Sequence, residues 1–165
     1  MRLTDEEAAR RLGAARVLRL ATVGPDGAPH QVPATFARYA GPRGDRIAIA
    51  VDHKPKRHRD LRRLRNIEAE PRVCALADAY SDDWTRLWWV RADGTARVLY
   101  GEDGPPGPEG RAERGPTACE QAERATALDL LVAKYPQYTA RRPDGPVIVI
   151  DVGKLTGWAY TDPVA

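Results

Sequence analysis

One stretch, Arg46 to Ile67 (RIAIAVDHKPKRHRDLRRLRNI), passes from strand to helix within a few residues and so fixes a corner around which the chain must fold. Ile47-Ala48-Ile49-Ala50-Val51 reads as a short buried strand, and Asp52 to Lys56 as a turn. The helix that follows buries Leu61, Leu64 and Ile67 along one narrow stripe, at the three-residue spacing of a helical face. Lys54, Lys56, Arg57, Arg59, Arg62, Arg63 and Arg65 crowd the turn and helix, with Asp60 the one acid among them. A helix start already carries partial positive charge and unpaired N–H groups, so it favours acids and repels cations. Cations collected there are explained by an anion, such as a phosphate, seated among them. The plainer reading is a solvated basic face, the usual fate of a charge run. Lys54 and Lys56 precede the first turn instead of lying along its flank, which favours the anion.

Around this corner the chain is written in strand-length apolar runs punctuated by Pro and Gly. Thr4-Asp5-Glu6-Glu7 reads as a capping box opening an amphipathic helix to about Ala14. Arg16–Val23 is a strand, Gly24-Pro25-Asp26-Gly27 a turn, and His30–Tyr39 a second strand. Gly41–Asp45 turns the chain into the Ile47–Val51 strand, so these three are expected to form an antiparallel meander. Pro33 cannot donate to a ladder, which assigns its strand to an edge or a bulge. Glu70-Pro71 ends the basic helix. Arg72–Ala79 and Leu87–Leu99 are further strands, the second with a bulge or bend at Asp93-Gly94. Trp88 and Trp89 are adjacent in it and so point to opposite faces.

Residues 101–116 (GEDGPPGPEGRAERGP) are expected to be a flexible loop. Thr117, a possible cap, opens a helix carrying Ala125, Leu128, Leu131 and Val132, which Pro136 halts. Val147–Ile150 is an apolar strand buried on both faces, and Lys154–Tyr160 a last edge strand. The chain of 165 residues fits one domain, 1–165. The expected fold is mainly β with helices: a split antiparallel β-barrel of about six strands, one inserted helix and terminal helices, closed so as to leave few exposed edges.

Several chemistries are excluded by what the chain lacks. Ser81 is its one serine and no GxSxG occurs, so a nucleophilic triad is not indicated. His30, His53 and His58 have no acidic partners at ligand spacing, and Cys74 and Cys119 no CxxC, so no metal site is expected and the thiols read as reduced. Neither GxGxxG nor a P-loop is present. The formal net charge of only +3 makes the positive charge local, and aromatics are not interleaved with the basic residues as a nucleic-acid platform requires. No apolar run is long enough to cross a membrane and no signal-peptide pattern is visible, so a cytoplasmic protein is expected. What remains is a phosphate-type site on a β scaffold, with tryptophans and a proline-interrupted strand able to flank a planar ring, suited to a cofactor that carries its own reactivity.

In order and spacing, Asp26-Gly27-Ala28-Pro29-His30-Gln31-Val32-Pro33-Ala34-Thr35-Phe36, then Lys54-Pro55-Lys56 through Val73, then Leu87 through Val98, resemble the pyridoxamine-phosphate-oxidase-like (PPOX class) split β-barrel flavin and deazaflavin oxidoreductases. The likeness is to their branch that uses coenzyme F420. The resemblance implies a phosphate held by Lys54, Lys56 and Arg57, with Arg63 and Asn66 at matching helix positions. It implies a ring system lying along Pro33, Ala34 and Thr35, with Ala50 and Val51. It further implies a homodimer with the cofactor groove between subunits and Trp88 or Trp89 supplied by the partner. The implied activity is hydride transfer between the deazaflavin C5 and a small electrophilic organic acceptor, with no assigned catalytic side chain; His30 or solvent is a proton source. An FMN-binding protein of the same fold is the alternative, and a nucleic-acid-binding barrel the remaining one.

Overall fold

The computed structural model describes residues 1–42, 44–51, 61–102 and 115–160. The chain runs α1 (Asp5–Ala14), β1 (Leu18–Val23), β2 (Pro29–Ala34), β3 (Ala37–Gly41), β4 (Gly44–Ala50), α2 (Arg62–Ala69), β5 (Arg72–Ala79), a short 3-10 turn (Trp84–Arg86), β6 (Trp88–Leu99), α3 (Ala118–Lys134), α4 (Gln137–Ala140) and β7 (Val147–Ala159). All the ladders are antiparallel. The β1–β2 hairpin turns at Gly24–Gly27, where the Gly27 N–H donates to the Gly24 carbonyl at 2.8 Å. Gly27 has φ 77°, the left-handed conformation that favours glycine.

Across the seven-stranded sheet the order is β2-β1-β5-β6-β7-β4-β3. Its two edge strands are therefore consecutive in the chain, with only Thr35 and Phe36 between them. Laid flat at the usual strand spacing, those edges would stand about 29 Å apart. Three peptide units between Ala34 and Ala37 reach about 11 Å at most. The sheet must curl until its edges come together. Among the described residues no ladder joins β2 to β3, so the closure is a split barrel.

That topology corrects the expected meander. The single strand expected over His30–Tyr39 is two, β2 pairing with β1 on one edge and β3 with β4 on the other. Lys154–Tyr160 is not a separate strand: Lys154–Ala159 continues Val147–Ile150 in β7, whose first half lies between β6 and β4 while Lys154–Ala159 forms a ladder with β6 alone. The bulge expected at Asp93-Gly94 is present, and it sits on β7, where Gly153 is left unpaired between Lys154 and Val152. Pro33 is on an edge strand, as expected.

The barrel interior is filled from alternate positions of the strands, with Leu18, Leu20, Phe36, Ile47, Ile49, Val90, Ile148 and Ile150 buried together. Ala8 and Leu12 of α1 close one end of it, and Leu64 and Ile67 of α2 pack into the same cluster. A second cluster lies outside the barrel wall, where Leu128 and Leu131 of α3 cover Ala48, Ala50, Val147 and Val149. The opening of β7 is thus buried on both faces, as its apolar run predicts. Ala127 replaces the expected Ala125, which is exposed. Thr4 caps α1 by accepting from the Glu7 N–H at 3.2 Å. Glu7 does not complete the box, because Arg10 and Arg11 engage its carboxylate. Thr117 and Glu120 form a full capping box on α3. The Leu61 backbone is extended and α2 begins only at Arg62, one turn later than the sequence pattern suggests. The expected flexible loop lies largely outside the described residues. Among those residues, no helix is long and apolar enough to cross a membrane.

Candidate functional site: the hairpin, the basic helix and the uncovered face

Lys54, Lys56 and Arg57 lie outside the described residues; α2, which follows them, does not. Its first turn contains no acid and no side chain caps it, so Arg62 and Arg63 meet the positive end of the helix uncompensated by any carboxylate of that turn. The Arg62 guanidinium reaches over the β1–β2 turn: a Cβ on Gly24 would lie 3.7 Å from its Nη2. Among the described residues no carboxylate forms an ion pair with it. His30, half-buried on β2, stands within the field of Arg62 and Arg63. Burial first, and then those two guanidinium charges, hold its imidazole below the usual histidine range.

Asn66, expected among the cofactor-binding residues, is buried against the barrel. It is 2% exposed, and its Nδ2 donates to Thr22 Oγ1 at 2.9 Å. Thr22, itself buried, lies 3.5 Å from His30 Nδ1. Helix, barrel strand and hairpin are thereby joined through three polar side chains, and a buried polar pair of this kind holds α2 in register on β1.

The residues expected along the ring are dispersed. Pro33 is exposed on the outer side of β2, opposite Arg19. Ala34 and Thr35 are half-buried at the split, where Thr35 Oγ1 is 2.8 Å from the Tyr138 hydroxyl. The Ala50 and Val51 side chains are buried in separate clusters, Ala50 beneath α3 and Val51 in the barrel. The Val51 N–H donates to the Pro146 carbonyl at 2.9 Å. Trp88 and Trp89 point to opposite faces, as their adjacency dictates. Trp88 packs against the barrel core with the Arg11 guanidinium 5.7 Å from its ring. Trp89 stands between Asp78 and Trp158 in register. Trp158 in turn meets Tyr160 edge-on at 6.5 Å.

Sequence reasoning did not single out Trp158, whose partnership with Trp89 depends on the β6–β7 register. Nor did it find the tyrosines that pin the split. The Tyr135 hydroxyl accepts from the Phe36 N–H at 3.0 Å and lies 2.8 Å from the Phe36 carbonyl and 2.9 Å from that of Arg16. On the outer face of β1, β5, β6 and the second half of β7 lies a cavity of about 540 Å³. Ala21, Val23, Val73, Cys74, Gly94 and Lys154 line it, beside the bulge. Burial and the neighbouring Asp93 carboxyl raise the Cys74 thiol, so it stays protonated and is a poor nucleophile. Both cysteines are free. No cluster of metal-ligating side chains occurs among the described residues.

The pyridoxamine 5'-phosphate oxidase family model matches residues 4–159. None of the curated proteins matches the chain. Among solved structures, the conserved hypothetical protein Rv2991 from Mycobacterium tuberculosis is similar over 95% of this chain and 85% of its own, with 19% identity and a TM-score of 0.65. A FAD-binding protein from Mesorhizobium loti is similar over 95% of both chains, at 20% identity and a TM-score of 0.62. The heme storage protein HutZ from Vibrio cholerae is similar over 93% of this chain and 90% of its own, at 13% identity and a TM-score of 0.57. Likenesses at this identity establish the fold.

Proposed function

The chain belongs to the pyridoxamine 5'-phosphate oxidase family, and on that premise we propose that it is an oxidoreductase of the flavin and deazaflavin type. In this reading the basic segment from Lys54 to Arg63 holds a cofactor phosphate, and a small electrophilic organic molecule is the acceptor. The observation that supports it most is the acid-free first turn of α2 beside Arg62, with which no carboxylate among the described residues forms an ion pair. The donor set fits a phosphorylated cofactor: guanidinium and ammonium groups are the partners that phosphate oxygens take in charge-assisted hydrogen bonds.

F420 is the first reading of the cofactor, since its acidic tail suits Arg62, Arg63 and Arg65 better than compact FMN does. FMN or FAD is the second, favoured by the likeness to a FAD-binding protein. When bound, the ring supplies the hydride chemistry. The protein's part is to clamp the phosphate by charge, to offer the half-buried Ala34 and Thr35 beside the ring, and to exclude water; orientation of this kind is what a hydride step needs. The protein is further proposed to be a cytoplasmic homodimer, the second copy covering the outer face that carries Trp89, Trp158 and the cavity.

Titration of the purified protein with F420, FMN and single-stranded DNA, each at low and moderate salt, tests the reading. Submicromolar binding of one ring cofactor, lost when Lys54 and Lys56 are both replaced by alanine, is expected on the order of a few charge-assisted bonds. Tighter binding of DNA than of either cofactor would overturn it.

A further inference from the structure

His30 belongs to the β1–β2 hairpin, far in sequence from the basic helix, and yet the fold sets it among that helix's cations. Three observations meet there. Thr22 Oγ1 lies 3.5 Å from His30 Nδ1, on the barrel side of the ring; Asn66 in turn holds Thr22 from the helix side at 2.9 Å. Nδ1 facing the threonine leaves Nε2 directed away from it. Arg62 lies over Gly24 at the start of the same hairpin turn. Arg63, one residue on, acts on His30 through its charge. The nearest acid on the hairpin, Asp26, is occupied in the turn, accepting from the Ala28 N–H at 3.1 Å.

We infer that His30, Arg62 and Arg63 form one anion pocket between the hairpin and α2, which takes a phosphate dianion together with a proton. This deepens the phosphate reading above and rests on it for the cofactor, but it adds a residue that reading does not use. Two guanidinium groups and a ring N–H give a phosphate fixed donors from two elements. In their midst an imidazolium is opposed by like charge; a dianion reverses that balance, and the ring then favours its charged form. The proton comes from solvent and settles on His30, so anion affinity weakens as pH rises. Among the described residues, the charges that act on the ring are Arg62 and Arg63 from α2; Thr22, held in turn by Asn66, is its polar contact and does not titrate.

The test uses the full chain with histidine-selective NMR, the His30 signal assigned by its loss in His30→Gln. Inorganic phosphate and FMN are the probes, titrated between pH 5.5 and 8. His30 is expected to titrate at least one unit higher with saturating phosphate than without, a shift that Arg62→Gln reduces. His30→Gln is expected to weaken phosphate and FMN about tenfold at pH 6, as the loss of one charge-assisted hydrogen bond does. The NMR spectra report whether each variant keeps the fold. If neither probe moves the His30 titration, the inference is overturned, whatever FMN does. If Lys54→Ala/Lys56→Ala abolishes FMN binding while His30→Gln leaves it unchanged, the pocket is refuted and the phosphate reading stands. If His30→Gln and Arg62→Gln weaken binding and the double lysine variant does not, the pocket is supported and the role of the lysines falls.

Discussion

Truncating Asn66 to alanine would leave the Thr22 hydroxyl buried, with no partner closer than the 3.5 Å contacts to His30. A polar group stranded in this way costs about 1–3 kcal/mol. Asn66→Ala is therefore expected to lower the urea midpoint, whereas adding Thr22→Val recovers part of the loss because the orphaned hydroxyl is gone. Additive losses in that double-mutant cycle would show that the two side chains do not interact. A polar residue in a helix of arginines carries no sign of burial in the sequence, and there Asn66 is named only as a helix position that the resemblance matches to the phosphate site. Lys134 is a second such residue. Its ammonium lies 4.0 Å from the Phe36 ring centre and donates to the Gly13 carbonyl at 3.0 Å. Burial, and next the nearby Arg16, pull it down to about 8. Unfolded lysine titrates near 10.4, so between those values the unfolded chain holds a proton that the folded chain lacks. Stability contributed at this site then rises with pH from about 8 to about 10.4, and is at its lowest below 8. Thermal melts of wild type and Lys134→Met between pH 7.5 and 9.5 should differ in slope, the variant lacking this rise. Equal slopes would assign the lysine an ordinary affinity for its proton.

Between β2 and β3 the chain makes the one crossing on which barrel closure depends, and Tyr135 holds it. Tyr135→Phe removes the acceptor of the buried Phe36 N–H and the donor to a neighbouring carbonyl. A loss of about 1–3 kcal/mol is expected in urea unfolding, with faster amide exchange at Phe36; unchanged exchange there would mean the crossing is held by packing alone. The two glycine positions in β6 and α1 give opposite signs for the same change. A Cβ on Gly94 would meet the Asp151 carbonyl oxygen at 2.3 Å and Ile150 Cγ2 at 2.9 Å, whereas one on Gly13 meets nothing within 4 Å. Gly94→Ala should thus cost about 1–3 kcal/mol through overpacking at the bulge. Gly13→Ala, inside a helix, should add about 0.5–1 kcal/mol. These elements were legible to different degrees for physical reasons. The bulge announces itself by Asp-Gly within a long strand, and the β1–β2 turn by Pro and Gly at their proper places. The break at Thr35-Phe36 has no such mark: both residues suit a strand, and only the opposite pairings of β2 and β3 separate them. Likewise Gly153-Lys154 looks like a strand end, yet β6 pairs with both sides of it.

At the scale of the whole molecule, the strand count and short spacing were enough to indicate a small closed sheet, because each strand's alternation is local. Strand order was not, because it rests on which distant segments share a core, and Val147–Ile150 lies beside β4 only through contacts with residues a hundred positions earlier. The same holds for the outer face. α3 covers one part of it, over Ala48, Ala50, Val147 and Val149; among the described residues no helix packs over the part carrying Trp89 and Trp158. Arg19 pairs with Asp78 and Arg91 with Asp93 on this part, so the half-buried Trp89 and Trp158 lie among matched charges beside a cavity. Such a surface gains by being covered, and a flat two-fold contact between copies is the arrangement that a homodimer of this chain would use. Trp89→Arg would place an unmatched charge at that contact without entering the barrel interior. Sedimentation equilibrium should then give a dimer for wild type and a monomer for Trp89→Arg, with unchanged far-UV dichroism. If the cofactor groove is shared between copies, ring affinity falls in the same variant although Lys54, Lys56 and Arg62 are intact. A wild-type chain that sediments as a monomer at micromolar concentration would remove the second copy from the site, and the phosphate clamp would then have to hold the ring against a single barrel wall.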